Sequence, residues 1–280
     1  MEAFPEGTPC WAEAELPDAE AGKRFYGELF GWTFRPGEGR SADAVGGGRL
    51  VAGLAPKGDG RMPTVWNISF AADDITALAG RITAAGGRLI GGPHPVGDRG
   101  TAATAADPGG AVFGLWQAGR RAGFETWGVP GAYCWTEVYT WDKQRADPFY
   151  EDVFGFTGTD LPQVADPGSG SGSTMDIRLW SPRGAPRPDS AAAGAETAVA
   201  GRCVLTDAFP PELPGHFLVY FCVKDCDAAV AHAVRLGGRV QAPPFDILYG
   251  RIAVLMDNQG ASFAVLAETQ PLTDAESTGP

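Results

Sequence analysis

Histidine is nearly absent from this chain: 280 residues contain 3, His94, His216 and His232, and they stand far apart. A metal centre built on neighbouring imidazoles is therefore not written locally, because one isolated His is a poor ligand set for Zn, Fe or Mn. Lysine is scarce too, limited to Lys23, Lys57, Lys143 and Lys224, and 22 basic against 34 acidic residues give a net charge of −12. Phosphate contacts need clustered basic side chains, so this balance argues against nucleic acid. It argues equally against docking on an anionic membrane. No apolar run approaches the roughly 18 residues of a membrane span. The opening MEAFPEGTPCWAEAE lacks the basic start and apolar stretch of a secretion signal. A soluble cytoplasmic protein is the expectation. The cysteines, Cys10, Cys134, Cys203, Cys222 and Cys226, form an odd set without zinc-site spacing and are expected as reduced, buried thiols. The glycine clusters at 46–48 and 91–92 match no phosphate-cradling pattern.

What is present is repetition. The stretch CWAEAELPDAEAGKRFYGELFGWTF (10–34) is echoed by CWTEVYTWDKQRADPFYEDVFGFTG (134–158), with Trp11 and Trp135, Glu13 and Glu137, Phe25-Tyr26 and Phe149-Tyr150 all at one constant offset. A second pair, SFAADDITALAGRITAAGGRL (69–89) and YFCVKDCDAAVAHAVRLGGRV (220–240), repeats at a larger offset, as do their tails DPGGAVFGLW and DNQGASFAVL. The chain is thus a duplicated half, each half holding two units. Every unit has a strand-like run ending at a helix-capping aspartate (Asp18, Asp74, Asp142, Asp225). A helix follows and stops at a glycine suited to a left-handed turn (Gly31, Gly86, Gly155, Gly237). Extended segments close the unit, with an Asp-x-x-Gly turn before the last strand in units two and four. This predicts an α+β fold of four βαβββ units. The expected divisions are a first domain over 1–118, a linker over 119–130 and a second domain over 131–268. The change of offset places an insertion around 158–198, read as a mobile loop or a passive insert, and 269–280 reads as a flexible tail.

Four βαβββ units with FY…(L/V)FG in the first helix and DP-x-G before a last strand resemble the vicinal-oxygen-chelate family. That family includes glyoxalase I, extradiol dioxygenases and the bleomycin and fosfomycin resistance proteins. The resemblance spans about residues 8–268, and the GTPCW of Gly7 to Trp11 is similar to two-domain actinobacterial glyoxalase-like proteins. It implies curved, cup-like mixed sheets, paired within the chain or across a homodimer. It also implies a metal in many members, held by a His on the first strand and a Glu on the last. Here those His positions hold Trp11, Asn67, Trp135 and Leu218, and the Glu positions of units two and four hold Gly114 and Ala264. No metal and no cofactor are expected. His216 stands two residues from one such position and can share its strand face.

Tryptophan at two metal positions turns a chelating cup into a flat apolar wall suited to a planar ligand. Trp11, Trp66, Asn67, Trp116, Trp135, Tyr139, His216, Phe245 and Tyr249 are the candidate substrate contacts, with plain core packing the competing reading for each aromatic. Glu13 and Glu137 stand two residues beyond the tryptophans, so alternation gives them the same inward face. Each is a candidate general acid or base. The competing reading is an ion pair with Arg49, Arg99 or Arg251. The expected function is a metal-independent tailoring enzyme for a planar hydrophobic, aromatic-polyketide-like natural product, acting as a monomer or homodimer. A drug-sequestering resistance protein and an accessory subunit of an oxygenase are the alternatives. The insertion and His216 favour the second half as the active one.

Overall fold

The protein is described by a computed structural model covering residues 2–162, 164–165, 174–185, 196–247 and 249–268. Unit one runs β1 (Pro9–Leu16), α1 (Ala19–Phe30), β2 (Thr33–Pro36), β3 (Ala42–Gly46) and β4 (Arg49–Pro56). Unit two runs β5 (Val65–Ala71), α2 (Ile75–Ala84), β6 (Arg88–Val96), β7 (Gly100–Ala106) and β8 (Val112–Ala118). Unit three has β9 (Tyr133–Thr140), α3 (Lys143–Phe154) and β10 (Thr157–Asp160). A short added pair, β11 (Val164–Ala165) and β12 (Thr174–Met175), precedes its last strands, β13 (Ile177–Ser181) and β14 (Ala200–Val204). Unit four is β15 (His216–Cys222), α4 (Cys226–Arg235), β16 (Arg239–Ile247), β17 (Gly250–Met256) and β18 (Ser262–Glu268). The predicted caps are in place: Asp18 Oδ1 accepts from Glu20 and Ala21 N–H, and Asp74, Asp142 and Asp225 serve likewise. Gly31 and Gly155 close α1 and α3 at φ 73° and 69°, the left-handed region that costs glycine little.

Each half makes one eight-stranded mixed sheet, ordered β2-β3-β4-β1-β5-β8-β7-β6 and β10-β13-β14-β9-β15-β18-β17-β16. Within a unit the first strand lies parallel to the last, and the two first strands pair antiparallel at the sheet centre, as β1 with β5 and β9 with β15. The α+β fold of four βαβββ units is as expected. The stretch expected as an insertion therefore contains most of β10 and all of β11, β12 and β13; residues 163, 166–173 and 186–195 of it, and the tail after Glu268, lie outside the described residues. No helix among the described residues is long and apolar enough to cross a membrane.

The sheets pack back to back. Trp66 of β5 meets Phe221 of β15 at 4.9 Å between ring centroids, and Phe70 meets Phe217 at 5.7 Å. Helices α1 and α3 cross the seam reciprocally. Tyr26 of α1 donates to Asp257 Oδ2 at 2.9 Å, and Tyr150 of α3 donates to Asp107 Oδ2 at 3.1 Å. Asp257 and Asp107 are the first residues of the Asp-x-x-Gly turns, and each uses its other oxygen to accept two turn N–H groups. The FY motif of one half is thus hydrogen-bonded to the turn motif of the other. This arrangement corrects the expectation for Trp66. Its indole N–H donates to Tyr26 Oη at 2.8 Å and its ring is buried among Tyr26, Trp32 and Phe221. Although Trp66 borders the cavity, alternation along β5 commits its ring to the core and gives Asn67 and Ser69 the concave face. Residues 119–130 are strapped to the first half: Phe124 is buried, stacks on Tyr133 at 4.7 Å and lies 5.6 Å from Trp11.

Tyr26→Phe and Tyr150→Phe each leave a buried carboxylate oxygen short of a donor. Each is expected to lower stability in urea unfolding by about 1–3 kcal/mol. The two losses should add, because the contacts are separate.

Candidate functional site

Because the core faces of the sheets meet one another, the opposite, concave faces turn outward as two cups. The two cups line one continuous cavity of about 2170 Å³. Alternation along β1 delivers Trp11, Glu13 and Glu15 to the first cup, while Ala12, Ala14 and Leu16 are fully buried on the helix side. The same alternation on β9 delivers Trp135, Glu137 and Tyr139 to the second. Opposite each glutamate the parallel neighbour carries glycine: Glu13 faces Gly53 and Glu137 faces Gly201. A Cβ on Gly53 would come 2.6 Å from Glu13 Oε2, and one on Gly201 3.1 Å from Trp135 Cζ2. Glycine is needed there because the carboxylate and the indole occupy the space of a side chain.

In the second cup, strand register sets Leu218 opposite Glu137, Tyr220 opposite Trp135 and His216 opposite Tyr139. Tyr220 Oη donates to Glu137 Oε2 at 2.8 Å, and the Tyr139 and Tyr220 hydroxyls are 3.4 Å apart. Glu137 is 9% exposed. Burial pushes its carboxyl pKa up, and hydrogen bonds from Tyr220, Trp135 and Tyr139 oppose that rise without cancelling it. Burial also drives the hydroxyls of Tyr139 and Tyr220 well above the ordinary tyrosine range. His216 stacks on Tyr139 at 5.4 Å with its Nδ1 2.9 Å from the Pro214 carbonyl. Burial lowers its pKa, favouring the neutral imidazole. Phe245, Ile247, Tyr249, Ile252 and Leu266 complete an apolar wall.

The first cup uses the same Trp and Glu differently. The Arg121 guanidinium lies 3.7 Å over the Trp11 ring, a cation–π stack. Arg121 and Arg99 both hydrogen-bond Asp43, at 2.9 and 3.1 Å. Among the described residues Glu13 forms no ion pair; burial, Glu15 and Asp43 raise its pKa to about 7 against the pull of Arg121 and the Trp11 indole. Two of the three arginines considered as partners are engaged elsewhere, Arg99 with Asp43 and Glu38 and Arg251 with Asp227 and Asp246. Asn67 and Trp116 line this cup, with the Trp116 indole N–H donated to the Arg121 carbonyl at 2.9 Å. Of the candidate contacts, Trp135, Tyr139, His216, Phe245 and Tyr249 gather around Glu137, and Trp11, Asn67 and Trp116 around Glu13. Tyr220 and Glu15 were legible by alternation but not singled out. Arg121 sits in the expected linker, where no sequence signal marks it.

The model of the glyoxalase-like domain matches residues 12–116. The anthracycline biosynthesis protein DnrV of Streptomyces peucetius is 36% identical over 288 aligned residues, covering 95% of this chain and 95% of DnrV. CFP32 of Mycobacterium tuberculosis is 35% identical, covering 94% of this chain and 95% of its own. Among solved structures, the Mn(II)-bound glyoxalase of Novosphingobium aromaticivorans superposes with a TM-score of 0.61 at 17% identity, over 95% of this chain and 85% of that one. The 2,2',3-trihydroxybiphenyl 1,2-dioxygenase of Sphingomonas wittichii RW1 gives 0.61 at 16% identity, over 97% and 94%. At that identity the structures speak to fold alone. The donors that a metal would need are not in the cups: no three of His, Cys, Asp and Glu converge as a ligand set among the described residues. At Gly114, one of the expected Glu positions, the space a Cβ would take is filled by Ser69 Oγ at 2.2 Å. The residues present do not fit a chelated divalent ion.

A carboxyl whose pKa is raised by folding stabilises the fold fully below its unfolded value and loses that contribution as pH climbs to the folded value. For Glu13 the window runs from 4.5 to about 7. Glu13→Gln is therefore expected to be more stable than the parent at pH 8, by up to about 3.5 kcal/mol at 1.4 kcal/mol per pKa unit. The advantage should vanish at pH 4, as measured by urea unfolding at both values.

Proposed function

The chain belongs to the glyoxalase-like branch of the vicinal-oxygen-chelate family, and on that premise we propose that it is a tailoring enzyme of natural-product biosynthesis. Its second cup takes a planar, hydrophobic, aromatic-polyketide-like molecule and moves a proton on it without a metal. The observation that carries this reading is Glu137: a nearly buried carboxyl with no cationic partner among the described residues, hydrogen-bonded by Tyr220 inside an aromatic wall. The similarity to DnrV, a protein of anthracycline biosynthesis, supports the substrate class.

The chemistry follows from the surroundings. Trp135 offers a flat wall against which a fused ring system stacks, worth about 0.5–1.5 kcal/mol beyond burial. Phe245 and Leu218 add apolar walls. Water excluded by the ring leaves Glu137 in a still less polar site, which raises its basicity further. The carboxylate form then accepts a proton from an acidic C–H or O–H of the substrate. Tyr220 donates its O–H to the same carboxylate and so fixes which oxygen faces the ligand. In this reading the Tyr139 hydroxyl, near Tyr220, turns from Glu137 to donate to the oxyanion that an enolisation creates. Returning the proton at another atom completes an isomerisation, cyclisation, ring-opening or addition.

The test is turnover of planar polyketide intermediates by chelator-treated protein, followed by mass spectrometry. Glu137→Gln is expected to slow product formation by about 10²–10⁴ while ligand affinity stays within a few-fold. Tyr220→Phe should cost roughly tenfold, the loss of one hydrogen bond to the reacting group. Binding without turnover, unaffected by either change, would overturn the enzyme reading. Turnover that returns only with an added divalent metal would overturn the metal-free one.

A further inference from the structure

Internal duplication supplies a control for the stretch that only the second half carries. In that half Leu179, Gly201, Glu137 and Leu218 form one cross-strand row, and Ile177, Cys203, Tyr139 and His216 form the next. Alternation from Met175 onward sends Met175, Ile177 and Leu179 to the cavity. Leu161, whose N–H donates to the Ile177 carbonyl at 2.9 Å, joins them there. Gly201 carries no side chain, so nothing in that row stands between Leu179 and Glu137. In the first cup, Ser41 and Asp43 take the places of Ile177 and Leu179.

The residues between them face the other way, and both are held by charge. Asp176 accepts from Lys143 Nζ and Arg202 Nη1, each at 2.5 Å. Arg178 donates to Glu151 Oε1 at 2.8 and 2.9 Å and to Asp160 Oδ1 at 2.8 Å. Arg202, 1% exposed, also grips Asp147 through bonds of 3.0 and 3.1 Å. Lys143, Asp147 and Glu151 are spaced by four along α3, so one helix face serves the whole network. The first half builds the same sheet without it. Ala19, Lys23 and Gly27 replace the three helix residues, and Ala42 and Leu54 replace Arg178 and Arg202. The fold therefore does not require the network, and burying an arginine carries a desolvation cost that a leucine avoids. What the ion pairs add is a fixed place for the strand that carries Met175 and Ile177.

We propose that Met175 and Ile177 form the specificity-determining wall of the second cup, and that Asp176, through Arg202 and Lys143, is the positioning residue that holds this wall against the ligand. The wall's role rests on the reading that a planar molecule enters this cup, and it selects for that molecule's length. A two-ring system stacked on Trp135 is complete without the wall. A three-ring system extends past Trp135 toward Ile177 and gains apolar contact there. Pinning matters because a wall free to retreat would lose backbone and side-chain freedom at each binding event. The wall stands whether or not Glu137 moves a proton, because it acts on binding alone.

Equilibrium dialysis of the full chain against 1,8-dihydroxyanthraquinone, with three fused rings, and 2-naphthol, with two, tests this. The parent is expected to bind the anthraquinone saturably and at least about tenfold tighter than 2-naphthol. Met175→Ala and Ile177→Ser, the latter installing the residue of the first cup, should each weaken the anthraquinone about tenfold. Both should leave 2-naphthol within about twofold. Asp176→Asn should shift the same ratio in the same direction, and Asp176→Glu, which keeps the charge, should restore most of it. Trp135→Ala should weaken both probes. Near-ultraviolet circular dichroism checks that the variants are folded. Where Trp135→Ala weakens both probes, wall and Asp176 variants that affect the two equally, or neither, would overturn the wall and leave the planar-ligand reading standing. No saturable binding of either probe by the parent, or binding indifferent to Trp135→Ala, would overturn that reading and the wall with it.

Discussion

The reciprocal bonds of Tyr26 to Asp257 and Tyr150 to Asp107 set the geometry on which everything else rests. Each aspartate is buried and already accepts two turn N–H groups, and its remaining oxygen takes its donor from a helix of the other half. Satisfying both aspartates forces the halves back to back, with Phe70, Phe113, Phe217, Phe221 and Phe263 sealed between them. That packing decides which strand face is core and which is cup. It sends Trp66 inward and frees the faces bearing Glu13 and Glu137. A motif that reads locally as turn chemistry is therefore also the lock of the molecule.

Given that frame, the cups illustrate how little of a site's chemistry its backbone dictates. Trp, Glu and facing Gly are held in common, and the glutamates differ only in their surroundings. Glu137 lies among phenols and aliphatic side chains, where hydrogen bonds from neutral donors orient it without neutralising it. Glu13 lies among charges that cancel one another and leave it over. The two glutamates thus share a backbone position and differ in the polarity around them. Tryptophan stands in both cups at positions where the family resemblance implies a chelating residue, and the surroundings of the two cups differ in polarity.

The repeat offsets, helix caps and glycine stops made the four units legible in the sequence, since each depends on contacts a few residues apart. Strand alternation likewise placed Trp11, Glu13, Trp135 and Glu137 on one face. At Trp66 and Asn67, adjacent on β5, alternation gives the cup face to Asn67 and commits the Trp66 ring to the core, the competing reading for that aromatic. Tyr220 became meaningful only through its pairing with Trp135 across the sheet. Arg121, in a stretch read as a linker, acts through Asp43 and the Trp11 ring, contacts spanning most of the first half. Partners set by long-range register carry no local signature, and these are the residues that distinguish the two cups.

The central claim is that Glu137 is a carboxyl with elevated pKa that meets a planar ligand in the second cup. Difference infrared titration of its carboxyl band, assigned by its loss in Glu137→Gln, tests this directly. The account predicts a midpoint above the ordinary glutamate range that moves higher again when a planar polyketide is added, in the parent and in Glu13→Gln alike. A midpoint in the ordinary range, or one indifferent to the ligand, would contradict it.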